Sequence, residues 1–175
     1  MPRRSAGILV YRPVEDGIEV LAVHPGGPFW AKKDAGAWSI PKGELEQAEG
    51  EEEAYEAARR EFAEEMGRPA PDGAPLDLGE IRQKGGKVVR AFALELGGGL
   101  PDEDGRGGDR RDEEAQAILS VTSNLVELEW PRGTGRRLIF PEVDRAEWMS
   151  PDVARVKLVP AQVALVDRLL ELLER

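Results

Sequence analysis

Glu61, Glu64 and Glu65 lie in the run Arg-Glu-Phe-Ala-Glu-Glu-Met-Gly at residues 60–67. On a helix, positions i, i+3 and i+4 fall within one arc of ~100°. Three carboxylates that close repel one another unless a cation sits between them. A hard divalent ion with oxygen ligands, Mg²⁺ or Mn²⁺, would answer that repulsion. A solvated acidic helix face is the plain alternative, because glutamate is a good helix former. The triplet alone does not choose between the two.

Upstream stands Trp38-Ser39-Ile40-Pro41-Lys42-Gly43-Glu44-Leu45-Glu46, and then an acidic run leads into the helix. A glycine loop followed by Arg-Glu-x-x-Glu-Glu-x-Gly resembles the signature of the Nudix hydrolases, the nucleoside diphosphate-X pyrophosphohydrolases. Gly43, Arg60, Glu61, Phe62, Glu64, Glu65 and Gly67 fit that pattern, as does the Pro-Lys-Gly-Glu lead-in. The stretch between Gly43 and Arg60 is three residues longer than the family's, and the excess falls in the loop near 47–49. Counted back from Arg60, Glu52 takes the place of the family's loop glutamate; counted forward from Gly43, Glu49 does. Glu52 is preferred, because loops absorb insertions cheaply while the helix is rigid. Arg68 stands where the family has an apolar residue.

The resemblance implies hydrolysis of a phosphoanhydride bond in a nucleoside diphosphate linked to another group. The Trp-Ser-Ile-Pro-Lys-Gly-Glu lead-in is similar to members acting on dinucleoside polyphosphates or nucleoside triphosphates. It also implies a Mg²⁺ cofactor, with Mn²⁺ as a substitute, held by Glu61, Glu64 and Glu65 together with the Gly43 carbonyl. Arg60 matches the arginine that orients the first helix glutamate, so Arg60, Glu61 and Glu64 form the candidate catalytic set. For the general base the family has no single solution. Glu64 is one candidate, and Glu127 or Glu129 is another. The last two are also the solvent-facing positions of an alternating strand.

Lys42, Lys32 and Lys33 flank the glycine loop and are candidate phosphate contacts. Arg82, Lys84, Lys87 and Arg90 cluster on a hairpin and are candidates for the same task. Trp30, with Phe29, lies in a loop and is a candidate for stacking on a base, whereas Trp38 reads as core because it sits on a strand. A competing reading is a catalytically silent Nudix-fold module that senses a nucleotide or docks a protein. The presence of all three helix glutamates stands against it.

These residues need a scaffold, and the chain supplies one. Its 175 residues suffice for a single domain with a real core, spanning 1–175. Apolar runs at 7–11 and 18–24 flank Asp16-Gly17, a hairpin turn signal. Residues 37–40 read as a short strand delivering the Gly43 loop. A helix is expected from about 52 to 66, stopped by Gly67, with Tyr55, Ala58, Phe62 and Met66 as its apolar stripe. Two strands are expected at 76–81 and 88–95, with a turn at 84–87. Weaker strands follow at 120–130 and 137–140, then a short one at 144–149. Residues 97–114 are Gly, Asp, Glu and Arg with few apolar side chains, and read as a flexible loop. From Pro160 the pattern is that of an amphipathic helix. Periodicity supports an α+β single domain; an α/β/α sandwich around a mixed sheet is what the resemblance adds.

Composition narrows the partners. There is no cysteine, so disulfides and zinc–thiolate sites are excluded, and a cytoplasmic enzyme is the expectation. No apolar run is long enough for a transmembrane helix. A net charge of −10 argues against nucleic acid and anionic membrane as partners, but not against a nucleotide-type small molecule. Residues 44–65 hold ten acidic side chains against two arginines, so a polyphosphate is repelled there until a divalent ion inverts the local potential. Many relatives form homodimers; the sequence itself shows no interface.

Overall fold

The computed structural model describes residues 3–45, 53–97 and 107–175. Two long strands, β1 (Arg4–Val14) and β2 (Gly17–Pro25), form the expected hairpin about Asp16-Gly17. A short strand β3 (Lys42–Glu44) pairs antiparallel with the start of β1, placing Gly43 opposite Ala6. Helix α1 (Ala54–Met66) follows, then strands β4 (Leu76–Arg82) and β5 (Val88–Glu95). Next come helix α2 (Gly107–Ala117), a separate hairpin of β6 (Leu125–Glu129) and β7 (Arg137–Pro141), and β8 (Val143–Met149). Helix α3 (Pro151–Lys157), a 3₁₀ turn (Pro160–Gln162) and helix α4 (Val163–Leu173) close the chain.

The main sheet runs β4-β5-β1-β2-β8, with β3 added on β1. It is mixed, because β1 and β5 are parallel while the other pairings are antiparallel. Both faces are covered, and β1 shows how. Ile8 and Val10 pack with Phe62 and Met66 of α1, whereas Leu9 and Tyr11 pack with Leu165 and Leu169 of α4. A strand buried on both faces reads as an unbroken apolar run, which is what 7–11 shows. The result is a single-domain α/β/α sandwich.

The stripe expected on α1 is observed: Ala58, Phe62 and Met66 are buried and Tyr55 packs at the rim. Burying Phe62 and Met66 stabilises the docking of α1 by roughly 1.5–3 kcal/mol each. Gly67, in the left-handed region at φ 72°, ends the helix and donates to the Ala63 carbonyl. The helix is thus pinned along one flank, and its neighbouring flank faces β3.

Three sequence expectations need correction. The 97–114 stretch is not all loop, because helix α2 begins at Gly107; residues 98–106 lie outside the described residues. Ala115 of that helix is buried, as is Ile118 just beyond its end, and the Ala115 carbonyl accepts from the Trp148 indole. Residues 37–40 form only two isolated bridges, Val23 with Ser39 and Trp38 with Leu158. The terminal helical region begins with a 3₁₀ turn and is preceded by α3, which the sequence reading lacked. Among the described residues no helix is long and apolar enough to cross a membrane.

Gln162 links the last layer to the glycine loop. It is fully buried, accepts from the Ile40 amide at 2.9 Å, and donates to Ser39 Oγ and Gln83 Oε1. Gln162→Leu strands the Ile40 amide without a partner. We expect a loss of about 1–3 kcal/mol, read as a lower urea midpoint with an unchanged slope.

Candidate active site

Helix α1 and strand β3 meet at Gly43. A Cβ at that position would lie 1.9 Å from both Cδ and Oε2 of Glu61, so only glycine lets the carboxyl rest against the β3 backbone. Glu61 is turned onto Arg60, which donates from Nη1 at 2.8 Å; the same nitrogen lies 3.7 Å from Glu64 Oε1. One turn along, Glu65 is 7 % exposed and accepts from the Lys42 amide at 3.2 Å. Glu64 stays exposed.

The electrostatics of this corner are those of charges crowded without enough counter-charge. Burial, then the neighbouring Glu142, pushes Glu65 up to about 8; the Lys42 amide and ammonium oppose this and Glu61 adds to it. Glu61 is also raised, chiefly by burial, with Glu64 and Glu142 adding and Arg60 opposing. Lys42 is lowered, first by burial and then by the nearby Lys87. A cleft of about 150 Å³ lies here, bounded by Lys42, Glu65, Glu142 and the Pro25 end of β2.

The sequence model of the NUDIX domain matches residues 1–169. The chain belongs to the Nudix family of pyrophosphohydrolases. No curated protein matches it. Among solved structures it is similar to an Ap4A hydrolase from C. elegans, at 16% identity and a TM-score of 0.58, covering 98% of both chains. It is also similar to a mutT/nudix family protein from Listeria innocua, at 14% and 0.57, covering 99% of this chain and 96% of that one. The NUDIX domain of Shewanella oneidensis NrtR, complexed with ADP ribose, gives 14% and 0.56, covering 99% of this chain and 89% of that one. At these identities the likeness is one of fold.

Nudix hydrolases generally use divalent metal ions, and the acidic corner of this Nudix chain offers oxygen donors for one. Among the described residues, no three His, Cys, Asp or Glu side chains converge closely enough to hold an ion as they stand. Glu61 is held by Arg60 and Glu65 by the Lys42 amide. Glu52, the preferred loop glutamate, and Glu49 lie outside the described residues. The chemistry nonetheless fits a hard cation. Glu61 and Glu65 are oxygen donors raised by burial and by other carboxylates, and a divalent charge between them relieves both causes.

The remaining expected residues divide cleanly. Lys42 is in the cleft, and Lys87 lies close to the Lys42 ammonium. Arg90 is committed to an ion pair with Asp77. Lys32 and Lys33 do not line the cleft. The Lys33 ammonium sits 3.6 Å over the Phe29 ring instead. Trp30 lines a second, larger cleft. Trp38 is core, as expected, with its indole donating to Asp34. Glu127 and Glu129 are exposed on the separate hairpin, Glu127 near Arg137 and Glu129 accepting from the Gly135 amide. They occupy the solvent-facing positions that the alternating pattern allows.

Glu142 is the residue the sequence reading missed. It lies between β7 and β8, with its amide donating to the Asn124 carbonyl and its carbonyl accepting from the Gly26 amide. Its backbone is therefore fixed while its side chain is exposed beside Glu65.

Gly43→Ala tests the contact between β3 and α1. The added methyl must displace the Glu61 carboxyl. We expect turnover to fall by about 10²-fold with the melting temperature little changed, as measured by steady-state kinetics and thermal denaturation.

Proposed function

We propose that this Nudix chain hydrolyses a phosphoanhydride bond in a nucleoside diphosphate-X substrate, of the nucleoside triphosphate or dinucleoside polyphosphate class, with Mg²⁺ as cofactor and Mn²⁺ as a substitute. The observation that carries this reading is Glu65: a buried carboxyl aligned with Glu61, raised to about 8, and facing a lysine and a fourth carboxylate across a small cleft. A structural helix face has no need of that arrangement, which is costly unless a cation and an anionic substrate complete it.

Glu61, Glu64 and Glu65, with the Gly43 carbonyl, would hold the ion. Bound there, it would lower the pKa of an attacking water and neutralise charge gathering on the phosphate oxygens. Arg60 keeps Glu61 in one orientation. Lys42, supported by Lys87, is the cation placed to receive phosphate oxygens, and its half-buried position makes an anionic partner favourable. Glu142 has the exposed, backbone-fixed carboxylate suited to accept the proton of the attacking water; Glu64 is the alternative acceptor. Water adds to one phosphorus, the bridging P–O bond breaks, and the departing phosphate carries away the bond electrons.

A panel of phosphoanhydride substrates assayed with Mg²⁺ and with Mn²⁺, with products identified by mass, tests the reading. Hydrolysis that requires the metal and yields a nucleotide supports it. No turnover with any nucleotide would leave the nucleotide-sensing module as the better account.

A further inference from the structure

The β6–β7 hairpin is not part of the main sheet, and a lone two-stranded hairpin is marginal in water unless a face is covered. Its register pairs Val126 with Phe140 and Leu128 with Leu138, so these four apolar side chains share one face. The opposite face carries Glu127 beside the exposed Leu125 and Ile139, with Glu129 and Arg137 at the turn end of the hairpin, where Glu129 also borders the neighbouring cleft. Val126, Leu128 and Phe140 form one wall of a cleft of about 730 Å³, whose other wall carries Phe29 and Trp30 and whose end carries Trp130.

The two walls are fixed against each other. A Cβ on Gly26 would lie 1.9 Å from the Pro141 carbonyl oxygen. One on Gly27, at φ 95°, would lie 2.5 Å from the Phe140 ring. Near the other end of the loop, His24 Nε2 meets the Lys33 carbonyl at 2.6 Å, and its Nδ1 meets Asp144 at 3.0 Å. The Phe29 and Trp30 rings pack edge to face with centroids 5.0 Å apart. Phe29 is therefore half exposed yet held in place.

Pro25 and Glu142 line both this cleft and the smaller one with Lys42 and Glu65. The two clefts therefore adjoin, and a molecule whose phosphoanhydride lies at Glu65 has room for its organic end here. Among the described residues, the charged side chains lining the larger cleft are Glu129, Glu142 and Arg132, and the Lys33 ammonium lies over the Phe29 ring at its edge, so the apolar and aromatic walls carry no net positive charge. A polyphosphorylated sugar or polyol finds no excess of cations there to bind it. A flat, uncharged ring finds aromatic faces to stack on, at roughly 1–3 kcal/mol per base.

We propose that the cleft between residues 25–30 and the β6–β7 hairpin is the nucleobase site, and that the hairpin's apolar face closes over an uncharged planar base. This rests on the phosphoanhydride reading for where the phosphates lie, and it makes the hairpin the specificity element of the enzyme.

Isothermal titration of the full chain in Mg²⁺ with each of the four ribonucleoside 5′-monophosphates, and with ribose 5-phosphate, tests the site apart from catalysis. At least one nucleotide is expected to bind tenfold or more tightly than ribose 5-phosphate. Trp130→Ala and, at an exposed position, Leu128→Glu are each expected to weaken it about tenfold. With a nucleoside triphosphate as substrate, Trp130→Ala should raise KM about tenfold and lower kcat less than threefold. Equal binding of nucleotide and ribose 5-phosphate, or unchanged nucleotide binding in both variants, overturns the proposal. So does sedimentation as a dimer that Leu128→Glu converts to monomer, because the face is then an interface between copies. Nucleotide binding without turnover of any phosphoanhydride upholds the base site and removes only the hydrolase reading.

Discussion

Glu65→Gln should abolish most turnover while making the protein harder to unfold at alkaline pH. The amide keeps the shape of the side chain and can still accept from the Lys42 amide, which is the bond seen at 3.2 Å. It cannot carry the negative charge that the proposed cation requires, so kcat should fall by about 10²–10⁴. Stability should move the other way. A carboxyl raised from 4.5 in the unfolded chain to about 8 in the fold binds its proton more tightly when folded. Its favourable contribution is complete below the lower value and is lost as pH rises through the upper one. At pH 9 and without added metal, ionised Glu65 therefore weighs against the fold and glutamine does not. The variant should gain about 2–4 kcal/mol there and little at pH 5. Phosphate-release kinetics and urea titrations at the two pH values check both halves. A variant with full activity at saturating Mg²⁺ would remove Glu65 from the site. Equal stability of the two proteins at pH 9 would mean that its burial carries no charge penalty.

Much of the scaffold could be read from local pattern because local chemistry dictated it. The β1–β2 hairpin follows from two apolar runs about Asp16-Gly17, and α1 from the stripe of Ala58, Phe62 and Met66 ending at Gly67. The pairing of Glu61 with Arg60 is between sequence neighbours, so the motif carried it. What escaped depended on tertiary contact. Helix α2 is polar over most of its length, and among its described side chains Ala115 is the buried apolar one, joined by Ile118 just past its end, too few to make a stripe. Helix α3 did leave a signal, because Ser150 caps it, Pro151 opens it, and Arg155 and Lys157 fill its last turn; its seven residues give periodicity little to register. Residues 37–40 have strand-like side chains, but Trp38 pairs with the chain beyond α3 and Ser39 with β2, so no continuous ladder forms. Glu142 had no spacing relation to the α1 glutamates. It reaches Glu65 only because β8 pairs with β2 and the Gly26 amide ties the two chain segments together.

Divalent metal should bind this protein more tightly as pH rises, by close to tenfold per unit up to about pH 8, and then level off. The reason is competition at Glu65. Below about 8 that carboxyl holds a proton, and the proposed cation must displace it before the oxygen can serve as a ligand. One proton released per ion gives a slope of one on a plot of log affinity against pH, so the gain between pH 6 and 8 is about 10². Glu61 is also raised, which steepens the acid end. Calorimetric titration with Mn²⁺ in two buffers of different ionisation enthalpy counts the protons directly. Glu65→Gln should cut the release near pH 7 toward zero and flatten the affinity profile, at lower affinity throughout. A wild-type profile that is flat between pH 6 and 8, with no proton released, would show that the ion binds elsewhere or that Glu65 is already ionised. In either case the buried carboxylate at the β3–α1 junction would lose its place at the centre of the mechanism.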